Sequence, residues 1–352
     1  MFVISLPFVS GVAISVLCGF PWWTGAVSAA MSMPLIVMFA AIRKASRPIA
    51  ALLFFALGLM VGTGTGAELS IVEPFALAES AMESLAGVIR EIRFEGQNSE
   101  SLVLALLTGR RNFLSPKVVA SFRDSGASHI LALSGLHLGV IYLLLSKLLF
   151  VFGNSRAGCF ARAFLAVVCC GFYALMTGGS PSIIRAFLFI LMNEILRLCP
   201  WRERRPLNIL LVAASLQLLF APMVIESLAF QLSYLAMLGI FMVYPRLEKW
   251  YPSATSGFLK RFDVARKIWN SVALSFSCQL FTAPLVWCRF GTFPEYFLLT
   301  NLIALPLSEM IIVSSVVAVC MQALFGCPLW MSHFVDTLVS MLVRALEIVS
   351  SM

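Results

Sequence analysis

Few residues in this chain could do chemistry, and several of them fall in one stretch. Asp124, His129, Ser134 and His137 follow one another closely, and the remaining histidine is His333. A neutral imidazole donates from one ring nitrogen and accepts at the other, so it can pass a proton, ligate a metal or contact a phosphate oxygen. Taken as one helix, residues 128–151 would place His129 and His137 about 80° apart around the axis and about 12 Å apart along it. One would then sit at an external mouth and the other about two turns deeper. Three histidines provide no dense His/Asp cluster of a metal-dependent hydrolase. No G-x-x-x-x-G-K-[ST] loop is present either, and no cofactor is expected.

Arg185 is the second chemical feature. It follows the turn Thr177-Gly178-Gly179-Ser180-Pro181-Ser182 and lies inside an apolar run. A guanidinium there is costly unless it is paired, lines a path or snorkels to the interface. Glu194, Glu226 and a passing phosphate are its candidate partners, although Glu194 also stands three residues before Arg197, a helical pairing interval. Gln231, Ser233, Gln279, Thr282 and Asn301 add uncharged hydrogen-bonding groups to other apolar runs. Such groups suit a lining that tolerates a polar polymer, and they serve equally as bonds between helices. Pro284 and Pro306 are expected to break or kink their helices. Gly135 and Gly139 could admit close helix contact, with His137 merely bonding a neighbour.

The elements that carry these residues are set by composition. Of 352 residues, 60% are hydrophobic and 12% charged, against about 25% charged in soluble domains. Many apolar runs approach the roughly 20 residues that cross a bilayer as a helix. Runs near 2–20, 25–42, 48–64, 128–151, 163–177, 182–198, 207–220, 227–244, 268–288, 296–320 and 329–349 predict an all-α, polytopic transmembrane bundle of about 10–11 spans. The apolar N-terminus reads as a retained span. Nine cysteines without a CxxC pair read as small hydrophobes.

If the spans alternate, sixteen Lys and Arg of the short connections fall on one side, from Arg43 to Lys267, against Arg289 opposite. By the positive-inside rule the N-terminus is then cytoplasmic and the C-terminus outside. That rule also accounts for much of the net charge of +8. Residues 65–127 form the one long connection, placed outside. Met82, Leu85, Ile89 and Ile92 recur at helical intervals there, predicting an amphipathic helix at the outer surface. Ser115 before Pro116 predicts a capped helix to Arg123. The chain divides accordingly into 1–64, 65–127 and 128–352.

Thr108-Gly109-Arg110-Arg111, followed by Phe122-Arg123-Asp124-Ser125-Gly126-Ala127-Ser128-His129-Ile130-Leu131-Ala132-Leu133-Ser134-Gly135-Leu136-His137, resembles the signature of the ComEC competence domain. In that family an LGDR-like turn leads to SGLxHLLAISGLHV. Further blocks agree in order: Tyr173 with Thr177-Gly178-Gly179-Ser180-Pro181-Ser182 and Arg185-Ala186; Phe230-Gln231-Leu232-Ser233-Tyr234; Gln279 with Thr282-Ala283-Pro284; Phe290-Gly291; and Asn301 before Pro306. The resemblance covers roughly 100–310. Members usually carry an external OB-like domain and often a metallo-β-lactamase-like domain; this chain reads as a minimal member without either.

The resemblance implies a bacterial cytoplasmic-membrane channel for single-stranded DNA. Membrane lipid, a separate DNA-receptor protein and a cytoplasmic DNA-pulling ATPase would be partners, and a homo-oligomer is compatible with it. It marks Asp124, His129, Ser134, Gly135, His137, Thr177, Gly178, Gly179, Arg185, Gln231, Ser233, Gln279 and Asn301 as path candidates. From the residues alone two alternatives stay open. One is a metal or acid/base enzyme built on Asp124, His129 and His137 with Ser134 or Arg185 and acting on a lipid or cell-wall intermediate; the other is a permease for a small anionic solute.

Overall fold

An apolar run can satisfy its backbone in lipid only as a helix or a closed barrel, and among the described residues there are helices and no strand. The structure, a computed structural model, describes residues 2–21, 24–25, 27–28, 47–63, 76–153, 155–198, 205–251, 264–291 and 296–351. Most of the expected span 25–42, with Arg43, Lys44, Arg202, Arg204, Lys260 and Arg261, lies outside them.

The helices are α1 Phe2–Leu17, α2 Arg47–Thr63, α3 Ala76–Glu91, α4 Ser99–Thr108, α5 Pro116–Asp124, α6 Ser128–Leu131 and α7 Gly135–Leu148. They continue with α8 Arg156–Met176, α9 Pro181–Leu198, α10 Pro206–Phe220, α11 Leu228–Leu247, α12 Val264–Phe290, α13 Phe297–Phe325 and α14 Leu329–Ser350. Among the described residues, five stretches are long and apolar enough to cross a membrane: Gly135–Phe152, Arg156–Met176, Leu228–Trp250, Ala265–Phe290 and Phe297–Phe325. Shorter apolar helices occupy Val3–Leu17, Ala50–Thr63, Ser99–Thr108 and Pro206–Phe220. The chain is thus an all-α, multi-pass membrane protein.

Two of the expected features differ. Residues 128–151 are not one helix: α6 ends at Leu131, Ala132 is extended, and α7 begins anew at Gly135. Of the expected break or kink at Pro284 and Pro306, the break does not occur, since α12 and α13 run through them. A proline removes a single ladder bond, and inside a long apolar helix neighbouring groups can make good that loss.

The described chain forms two compact units, Met1–Glu73 with Leu188–Leu238, and Pro74–Phe187 with Gly239–Met352. In the first, α1 and α2 cross where neither has a side chain. A Cβ on Gly11 would stand 2.3 Å from the Phe55 carbonyl oxygen, and one on Gly58 would stand 2.2 Å from that of Phe8. Phe8 and Val12 share an apolar cluster with Leu218 and Phe230.

In the second unit, α3 turns Ala78, Met82, Ala86 and Ile89 inward, the stripe expected of an amphipathic helix. Ser115 caps α5 by accepting from the Val118 N–H, with Pro116 at its first position. The helix α4 is buried along nearly its whole length, and with Phe122, Ile130, Ile311, Val335 and Leu342 it makes the unit's main apolar core. Polar ties fasten α14 to that core: the Glu95 N–H donates to Asp336 Oδ2 at 2.8 Å, and Lys117 pairs with Glu347 at 2.8 Å.

Candidate functional site

The break between α6 and α7 has a local cause. Ser134 is extended, and its Oγ accepts from the Leu136 N–H at 3.3 Å. The His137 ring folds back so that Nδ1 accepts from the Ser134 N–H at 3.2 Å, with Ser134 Oγ 3.0 Å away. This is a reciprocal capping box with histidine where Glu or Gln is usual. It starts a helix inside what reads as a continuous apolar run.

The same bonds settle the ring's tautomer. With Nδ1 accepting from a backbone N–H, the neutral imidazole carries its proton on Nε2. His137 is 1% exposed, and its Nε2 is enclosed without a hydrogen-bond partner.

Arg185 stands against this first turn. It is 9% exposed, and a Cβ on Gly135 would lie 2.7 Å from its Nη2 and 3.2 Å from the Ala186 Cβ. Glycine at 135 is therefore what admits the guanidinium. Gly139 has open space where its Cβ would be, so the expected glycine contact holds at 135 alone. The turn ahead of Arg185 uses Gly178 at φ +76° and Gly179 at φ +59°, backbone regions that cost other residues strain. Thr177 caps α8, its hydroxyl donating to the Tyr173 carbonyl at 2.9 Å.

Arg111, in the turn after α4, lies close enough for its charge to act on the His137 ring. The Thr108–Arg111 turn is held on two sides. The Tyr173 hydroxyl donates to the Leu107 carbonyl at 2.9 Å, and Arg110 pairs with Glu83 of α3. Thr300 donates to the Ser125 carbonyl at 2.8 Å, tying α13 to the turn before α6. Sequence alone gave no sign of Thr300 and marked Arg111 only as part of the Thr108–Arg111 block, since neither breaks a pattern when read singly.

The first turn of α7 thus gathers Ser134, Gly135, His137 and Arg185. His129 is on α6, exposed, with Nδ1 3.2 Å from the Gly126 carbonyl oxygen, so the single-helix relation to His137 does not hold. Asp124 is exposed and pairs with Arg123 at 3.1 Å. Among the described residues no three His, Cys, Asp or Glu side chains are grouped to hold a metal ion. Glu194 pairs with Arg197 at 2.9 Å.

In the first unit, Gln231 donates to the Ile225 carbonyl at 2.8 Å, and Ser233 lies half-buried directly before Tyr234, whose hydroxyl donates to Gln217 Oε1 at 3.0 Å. In the second, Gln279 is half-buried on α12, and Asn301 on α13 has an enclosed Oδ1 with no hydrogen-bond partner.

A multi-pass helical membrane protein with a capped helix break beside a buried guanidinium is the class these features define. Residues 106–352 match the family described as Competence protein, and the chain belongs to that family. It is 31% identical over 137 residues to ComE operon protein 3 of Bacillus subtilis, covering 39% of this chain and 17% of that protein. It is 30% identical over 158 residues to an uncharacterized protein of Aquifex aeolicus, covering 44% and 36%. Recombination protein 2 of Haemophilus influenzae is 25% identical over 231 residues, covering 62% and 28%. The chain therefore spans little more than a third of these relatives' length at most. No solved structure matches it.

Proposed function

We propose that this chain contributes a path by which single-stranded DNA crosses the bacterial cytoplasmic membrane during competence. Family membership and the relatives' names, ComE operon protein 3 and Recombination protein 2, support the process. The observation that carries the molecular part is Arg185, buried against Gly135 at the start of α7. A cation beside the positive end of a helix makes a field that favours an anion. A strand needs such contacts to be few and weak enough to release each phosphate.

In this reading Asp124, His129, Thr177, Gln231, Ser233, Gln279 and Asn301 are candidates for other points on the path. The N-terminus is cytoplasmic and the C-terminus outside. A DNA receptor delivers the strand and a cytoplasmic ATPase pulls it. Chemistry on the strand is not assigned to this chain.

Arg185→Ala and Arg185→Lys test the reading in a strain that relies on this chain for transformation. Both should insert normally; Ala should lose most uptake, and Lys should recover only part, because an ammonium lacks the planar fork of the guanidinium. Wild-type uptake by both variants would leave Arg185 a mere anchor and remove the molecular basis of the proposal.

A further inference from the structure

Cationic and hydrogen-bond-donating groups collect at the first turn of α7. The helix is fourteen residues long, and its N-terminus carries about half a positive charge. Two cations bear on the same turn: Arg185, whose Nη2 fills the place of the missing Gly135 side chain, and Arg111, whose charge reaches the His137 ring. His137 adds the decisive feature. The Ser134 N–H occupies its Nδ1, which puts the ring proton on Nε2, and that N–H is enclosed with no acceptor. Buried donors are normally satisfied, and an unmet one is costly.

We infer that this turn is a phosphate-oxygen subsite for the backbone of a nucleic acid strand. Arg185 and the His137 Nε2–H take non-bridging oxygens of a phosphodiester at the positive end of α7. This rests on the proposed function and specifies what its central residues hold. The guanidinium supplies charge opposite to that of a phosphodiester, the neutral Nε2–H adds a hydrogen bond, and contact through phosphate leaves the base sequence unread. Ser134 is a positioning residue here, because its backbone N–H fixes the tautomer that turns the donor outward from the cap. Gly135 sets the position of the guanidinium.

The test uses the purified full chain in detergent and a fluorescent oligothymidylate, with affinity read by anisotropy. The same oligomer with uncharged methylphosphonate linkages and phosphatidylglycerol micelles are the comparison ligands. The charged oligomer should bind at least about tenfold more tightly than the uncharged one. Gly135→Ala should weaken binding about tenfold, the range of a lost charge-assisted hydrogen bond, at an unchanged melting temperature, because a flexible guanidinium can move aside. His137→Ala should weaken it similarly, and His137→Gln should keep part of the affinity by restoring a donor.

Equal binding of charged and uncharged oligomers, or wild-type affinity in both Gly135→Ala and His137→Ala, overturns the subsite while leaving DNA passage standing. If wild-type protein binds no oligothymidylate yet binds phosphatidylglycerol in a His137-dependent way, the phosphate chemistry stands, the ligand is a lipid headgroup and the nucleic acid reading falls.

Discussion

The Tyr173 hydroxyl donates to the Leu107 carbonyl at 2.9 Å, joining α8 to the last turn of α4 across 66 positions of sequence. Arg110 and Arg111 follow directly, so this bond helps fix where two cations stand. Tyr173→Phe leaves the ring in place and the carbonyl without its donor, which should cost about 1–2 kcal/mol. The melting temperature in detergent should fall, with membrane insertion intact. An unchanged melting temperature would mean that the turn is held by other contacts.

The Arg110 guanidinium, hydrogen-bonded to the Glu83 carboxylate, holds that carboxyl below its ordinary value of 4.5. A depressed folded-state value contributes stability that is present above 4.5 and is lost as the pH falls through the lowered value. Wild type should therefore melt slightly above Glu83→Gln at neutral pH and low salt. The gap should be small, because the pair is exposed and screened, and it should close in acid. A gap that persisted well below pH 4.5 would show that Glu83 acts through something other than its charge.

The asymmetry of basic residues in the short loops predicts that residue 90, on α3, faces outward. A cysteine placed there, with the native cysteines replaced, should react with an impermeant thiol reagent added to intact cells. Labelling only from the cytoplasmic side would reverse the topology.

Sequence carried the fold where one physical rule dominates a segment. Long apolar runs admit only helices, Ser115-Pro116 marks a helix start by itself, and Met82, Ile89 and Ile92 declare a face by spacing alone. The break at Ala132–Ser134 was harder to read, because Ile130-Leu131-Ala132-Leu133 continues the hydropathy without a gap. The cap that opens α7 uses His137 where the recognised pattern has Glu or Gln, so His137 stood out as chemistry while its structural role stayed hidden. Glu194 and Arg197 were readable as a pair at i and i+3. The approach of Arg185 to Gly135 was not, since contacts between helices 50 positions apart leave no trace in local spacing.

Passage of a strand through this protein is the central claim, and reconstitution tests it most directly. Proteoliposomes carrying the full chain, with a single-stranded DNA-binding protein trapped inside to pull, would be given labelled oligothymidylate and then external nuclease. The account predicts label protected over time with wild-type protein, far less with an equal amount of folded, reconstituted His137→Ala, and an intermediate level with His137→Gln. Protection no greater than in protein-free liposomes, or equal protection by wild type and a stable His137→Ala, would contradict it.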